Sequence, residues 1–325
     1  MQPLFTPPWW GRNPHLQTIL PVLTKIPGLA LERQRLELPD GDFIDLDFLA
    51  RPRPGEPLLV ILHGLEGSAD SHYARRMLQA CAQRQLACVV HHHRGCSGEA
   101  NRLPRSYHSG DTADIAQTLQ FLARHYPQSP LLAVGYSLGG NVLAKYQAEQ
   151  GMGSLLQRAA VVSAPLALAS CAHKLERGFS RIYQRHLLRQ LQQKMRQKLC
   201  QSATASNADM QALQQLHTFY QFDDKVTAPL HGFAGAADYY AKASALPLLH
   251  KIARPTLFIH AKDDPFMDEA VIPPPQQLPS CVQYELYPYG GHVGFINGGT
   301  PWRPRYFLEQ RLLRYLLEDE HASAL

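Results

Sequence analysis

Cysteine is scarce: the 325 residues hold six, at positions 81, 88, 96, 171, 200 and 281, with no C-x-x-C pair among them. That spacing argues against a zinc knuckle and against a disulfide framework. Long apolar runs are missing as well. The stretch Leu58 to Leu62 is typical, whereas a membrane-spanning helix needs about 20 apolar residues, so a transmembrane protein is excluded. The opening Met-Gln-Pro-Leu-Phe-Thr-Pro-Pro-Trp-Trp has no basic start followed by an apolar stretch and a small-residue cleavage site. It does not read as a secretory signal, and the expected location is cytoplasmic. No G-x-G-x-x-G, P-loop or H-E-x-x-H occurs, which leaves nucleotide and zinc chemistry without support; no cofactor and no metal are expected. Repeats, heptads and low-complexity tracts are absent too, and the Pro clusters at 52–57 and 273–275 are too short to link independent units. One domain over 1–325 is expected.

What remains is an ordinary globular composition: 45% apolar, 18% charged, with 32 Lys and Arg against 27 Asp and Glu for a net charge of +5. Residues 31–50 alternate apolar and polar on both sides of Pro39-Asp40-Gly41, the pattern of an antiparallel hairpin. Later runs differ. Leu58 to Leu62, Ala87 to Val90, Leu131 to Val134, Ala159 to Val162 and Thr256 to Ile259 are short and continuously apolar, as strands covered on both faces of a parallel sheet are. Helix-period segments at about 72–84, 111–125, 138–150 and 304–317 alternate with them. The sum is an α/β fold: a mostly parallel sheet, opened by a hairpin and covered by helices.

The alternation breaks between Pro165 and Ala253. Residues 166–253 turn helical and polar, an insertion placed like a lid over the sheet edge where open α/β sheets bind ligands. Within it, residues 174–198 carry eight Lys and Arg against the single acid Glu176. Leu175, Phe179, Ile182, Leu188, Leu191, Met195 and Leu199 recur at mostly three- and four-residue steps, one apolar stripe beneath a basic surface.

Gly135-Tyr-Ser-Leu-Gly139 follows directly on a buried run and leads into a helical pattern. This is G-x-S-x-G at a strand-to-helix junction, where a turn too tight for flanking side chains lifts the Ser137 hydroxyl above the sheet edge. A nucleophilic serine needs a base and an acid to orient it, in the chain order Ser, acid, His. After Ile259 comes His260-Ala-Lys-Asp263-Asp264-Pro265, whereas the other candidate loop, Ser163-Ala-Pro165, has no carboxylate. Asp264 is favoured because Ala261, three residues before it, resembles the glycine of a G-x-x-D loop; Asp263 is the alternative. His292 sits in Gly290-Gly-His-Val-Gly294 after the strand-like 282–287, at the edge from which an imidazole can reach both partners. The developing oxyanion needs two backbone N–H donors. Leu138, next after the serine, supplies one by position, and Leu65 in His63-Gly-Leu-Glu-Gly67 is the choice for the second; His63 is read as orienting that loop. Consecutive His91, His92 and His93 point to alternate faces of an extended segment and do not jointly chelate. The turn Arg94-Gly-Cys-Ser-Gly98 is a candidate lining of the cleft.

These residues resemble the α/β-hydrolase superfamily, and more narrowly the AB hydrolase 4 family in its bacterial YheT-like branch. The resemblance rests on Asn13-Pro-His-Leu-Gln-Thr18, His63 to Gly67, His93 to Gly98 and Gly135 to Asn141. It continues through Phe222-Asp-Asp224, His231-Gly-Phe233, Tyr239-Tyr240, His260 to Pro265 and Gly290 to Phe295, nearly the whole chain. It implies Ser137, Asp264 and His292 as charge-relay residues, and carboxylic ester hydrolysis as the activity, with small-molecule esters as substrate. Eukaryotic relatives act on acylglycerols or phospholipids. The competing readings are acyl transfer through the same machinery and a binding protein that attaches to anionic surfaces by the basic segment. A nucleic-acid partner is not expected, because the basic charge is confined to one segment without a recognition motif.

Overall fold

The structure, a computed structural model, describes residues 5–201 and 207–317. Its frame is an eight-stranded sheet of β1 (Glu32–Glu37), β2 (Phe43–Ala50), β3 (Leu58–Leu62), β4 (Ala87–His91), β5 (Leu131–Tyr136), β6 (Leu156–Val162), β7 (Thr256–Ala261) and β8 (Val282–Tyr287). The spatial order is β1-β2-β4-β3-β5-β6-β7-β8. β1 pairs antiparallel with β2, and β2 with β4; every other neighbour is parallel. The hairpin turns at Asp40-Gly41, where Gly41 takes φ 85°, a left-handed value that suits a residue without Cβ.

Apolar runs become two-faced strands because successive side chains point to opposite sides. Leu59 and Ile61 of β3 join the core formed with α2 (His72–Gln83) and α11 (Leu308–Leu317). Leu58, Val60 and Leu62 join the core under α3 (Ala113–His125) and α4 (Leu138–Gln150). With apolar partners on both faces, no polar alternation survives in these strands, which is why they read as continuous runs.

The last helix is shorter than the expected 304–317. Arg303–Tyr306 is a strand paired with Ile296–Thr300, and α11 starts only at Leu308. The residue before Pro304 is biased to extended backbone, and Tyr306 is tied by its hydroxyl to Thr24.

Between β6 and β7 the described residues are helical: α5 (Leu168–Leu175), α6 (Ser180–Gln201), α7 (Asn207–Gln214), α8 (Phe219–Phe222), α9 (Ala228–Leu230) and α10 (Ala236–Ala243). The single apolar stripe expected along 175–199 is interrupted. Leu175 ends α5, and Gly178 at φ 52° turns the chain before α6 begins. Leu188 packs with Leu213 and Phe222, with Leu191, Met195 and Leu199 against them. Phe179 and Ile182 stay 47% and 57% exposed. Among the described residues no helix is long and apolar enough to cross a membrane.

Candidate active site

Ser137 stands where β5 passes into α4 at φ 52°, ψ −121°, a conformation L-residues hold only when the surroundings enforce it. The enforcement is local. Ser137 donates its N–H to Val162 O at 2.9 Å, and its own carbonyl accepts the N–H groups of Gly140 and Asn141. A Cβ on Gly135 would lie 2.5 Å from Gly139 O, and one on Gly139 would overlap the His63 carbonyl. Only glycines let the turn pass this close to β3.

The histidine and the acid converge on this serine. His292 Nδ1 lies 2.8 Å from Asp264 Oδ2, and its Nε2 lies 2.9 Å from Ser137 Oγ. A carboxylate can only accept, so Nδ1 carries the proton and Nε2 is left to accept from the serine hydroxyl. Asp264 is 3% exposed, and its other oxygen accepts the N–H of Phe266. The Phe266 ring stacks on the imidazole with centroids 4.0 Å apart and planes 6° from parallel, which fixes the second ring angle.

Asp263, the alternative acid, faces elsewhere. Its Oδ1 accepts the N–H of Gly291 at 2.9 Å, and burial, with the Asp264 charge beside it, pushes its carboxyl up to about 6.

The residues that hold the histidine loop include a helix to which sequence reasoning assigned no role. α1 (Pro14–Leu23) is capped by Asn13, whose side chain accepts from the N–H groups of His15 and Leu16. Fully buried Gln17 spans the gap between elements: its amide donates to Gly11 O and Ile296 O and accepts from Ile296 N–H. Thr18 Oγ1 accepts the N–H of His292 at 3.0 Å. Ser163 Oγ does the same for Val293, whose φ is 57°. The Asn-Pro pair, a cap residue followed by proline at the first helical position, is the sequence signal that a helix starts here. Nothing in it names the distant loop it supports.

The His63 to Gly67 loop runs beside the serine, with an ideal Cβ on Gly64 only 3.1 Å from Ser137 Cβ. His63 Nδ1 donates to Gly64 O, its Nε2 accepts from His93 N–H, and His93 Nε2 returns a bond to His63 O. Burial drives His63 well below its ordinary pKa and His93 down to about 4, so both stay neutral and act as braces for the loop. Gly64 N–H is taken by the Tyr73 hydroxyl. The N–H groups of Leu65 and Leu138 have no acceptor among the described residues, and both residues line the cavity at Ser137.

The three consecutive histidines part company: His91 bonds Thr118, His92 bonds Asp47 and His93 bonds His63. The expected cleft lining by Arg94 to Gly98 is not seen. Arg94 is 3% exposed and reaches both oxygens of Asp114 at 2.7 Å as well as Asp40, because a buried guanidinium requires carboxylates around it.

A cavity of about 540 Å³ opens on Ser137. The sheet side contributes Gly64, Leu65, Leu138 and His292, and the insertion contributes Leu168, Leu175, Leu191, Met195 and Val226. A polar contact from α6 reaches the loop beside the serine. Lys194 of α6 lies 3.2 Å from Glu66 and 2.9 Å from the Cys96 sulfur, with both Lys194 and Glu66 nearly buried. The residue after Leu65 is thus clamped from above.

Comparison with known proteins agrees with this architecture. The family described as alpha/beta hydrolase fold matches residues 57–299. The Escherichia coli (strain K12) protein named "Putative esterase YheT" is 48% identical over 307 residues, covering 94% of this chain and 90% of that one. Human "Phospholipase ABHD3" is 28% identical over 326 residues, covering 96% and 78%. The solved Pyrococcus furiosus esterase Pf2001 has the same fold, with a TM-score of 0.52 at 12% identity over 90% of this chain and 91% of that one. The chain belongs to the α/β-hydrolase family, in company with YheT and ABHD3, and is a carboxylic ester hydrolase.

Proposed function

We propose that the protein hydrolyses small carboxylic esters with short to medium acyl chains, acylglycerol-like esters among them, through a Ser137, His292 and Asp264 triad. One observation carries the reading: an unbroken hydrogen-bond chain from Asp264 through His292 to Ser137 that ends in a largely apolar cavity. Ser137 Oγ attacks the ester carbonyl carbon while its proton passes to His292 Nε2. The N–H groups of Leu65 and Leu138 receive the oxyanion. Collapse breaks the bond to the alkoxy oxygen, which leaves as the alcohol with the proton from His292. Water then repeats the sequence on the acyl-enzyme and frees the carboxylic acid and the serine.

The insertion over 166–253 serves as the lid in this scheme, because its apolar side chains form one wall of the cavity. A relative named as a phospholipase supports acyl chains as what that wall meets. The test is labelling with a fluorophosphonate probe together with a chromogenic ester panel graded by chain length. Wild type takes up the probe and turns over the esters, and Ser137→Ala loses labelling and at least about four orders of magnitude in rate. Labelling that persists in Ser137→Ala removes the assignment.

A further inference from the structure

The two helices that frame the cavity mouth expose large apolar side chains. On α1, Val22 and Leu23 are 60% and 70% exposed; beside α6, Phe179 and Ile182 are 47% and 57% exposed. The helices are in contact there: His15 bonds the Tyr183 hydroxyl at 3.0 Å, and its ring lies 4.2 Å from that of Phe179. Val22 and Ile182 also line the cavity, so the exposed apolar surface is continuous with its wall.

Positive charge flanks this mouth. Arg181, Arg185 and Arg189 are exposed and four residues apart on α6, and with Ile182 they fall in an arc of about 100° at 3.6 residues per turn. None has a carboxylate within ion-pair distance among the described residues. They differ in this from Lys194 and Lys198 on the same helix, which are engaged by Glu66 and by the carbonyls of 103–105. Among the described residues α6 thus carries cations that bond across the fold, Lys194 and Lys198, and three exposed arginines with no carboxylate in reach.

From these observations we infer that the mouth formed by α1 and the start of α6 docks on an anionic phospholipid bilayer, with Leu23, Phe179 and Ile182 in the interface and the arginine row on the lipid phosphates. Such a surface suits both parts at once. Apolar side chains gain by leaving water, cations gain near anionic headgroups, and an acyl chain passes from the bilayer into the cavity without crossing water. A protein partner would have to supply the same apolar and acidic pattern; a bilayer presents it everywhere.

The inference does not depend on Ser137 chemistry, and its test reads binding alone. Purified protein is sedimented with vesicles of phosphatidylcholine, or of phosphatidylcholine mixed with phosphatidylglycerol, at low and high salt. Binding is expected to the mixed vesicles, to weaken with salt, and to fall about a hundredfold in R181Q/R185Q/R189Q, at roughly fivefold per charge. R181K/R185K/R189K should bind as wild type does. L23S/F179S should also weaken binding, with thermal melting confirming that each variant is folded. Absence of binding to the mixed vesicles overturns the inference, as does binding that neither the glutamine nor the serine variant reduces. Self-association without lipid that the same substitutions abolish also overturns it, since the face would then pair two copies of this chain.

Discussion

Asp263 and Asp264 have the same chemistry and adjacent places in the chain, and their surroundings separate them. Asp264 accepts the imidazole N–H and the Phe266 N–H. Asp263 accepts the Gly291 N–H and has a second oxygen buried without a hydrogen-bond partner among the described residues, and burial pushes its carboxyl up to about 6. An unfolded aspartate titrates near about 3.9, and the folded state therefore binds this proton more tightly. Stability from this group is fully present below about pH 4 and is lost as pH rises through about 6. Asp263→Asn keeps an oxygen for Gly291 and removes the titration. Its melting temperature relative to wild type should climb between pH 4 and 7, by a few degrees. A difference that stays flat across that range would contradict the burial argument. The preference for Asp264 was legible in the Ala261 spacing, but a one-residue ambiguity can only be settled by the direction each side chain takes from the turn.

At the scale of elements, α1 is a support for a loop far along the chain. Among the described residues its Thr18 hydroxyl is the acceptor for the His292 N–H, and leaving a buried donor without a partner costs about 1–3 kcal/mol. Thr18→Val keeps the shape and removes the oxygen. On a soluble short-chain ester kcat should fall about tenfold with KM little changed, and Thr18→Ser should restore it. Equal rates in all three proteins would show that the loop holds itself. The Asn-Pro cap of α1 is legible in sequence because its partners are two and three residues away. The support it provides is not, because Thr18 and His292 are 274 residues apart. The stripe on 175–199 fails for a related reason: apolar periodicity registers which residues share a face, and Gly178 breaks the face in two.

For the molecule as a whole, the proposed scheme takes the reacting groups from the ends of the sheet strands and one wall of the cavity from the 166–253 segment. Substitutions in the insertion should therefore change which esters fit and leave the chemistry alone. Leu191 lines the cavity from α6; Leu191→Trp fills part of it. Octanoate ester hydrolysis should drop about tenfold or more relative to acetate, with the acetate rate close to wild type. An unchanged ratio in the chain-length panel would place the acyl chain elsewhere. The strand order, with β4 between β2 and β3, sets the His63 loop next to His93 and so links two loops that are 30 residues apart.

What the sequence determined by itself is whatever depends on neighbours within a turn or a strand. The two-faced apolar runs, the hairpin at Gly41 and the glycines that admit the Ser137 turn follow from sterics and burial acting over a few residues. Tertiary structure alone decided which aspartate meets His292, that α1 braces the histidine loop, that Arg94 is a buried ion-pair centre, and which cations of α6 find no carboxylate among the described residues. Each of these is a contact or its absence between segments far apart in the chain, and no local pattern records which distant partner will close the distance.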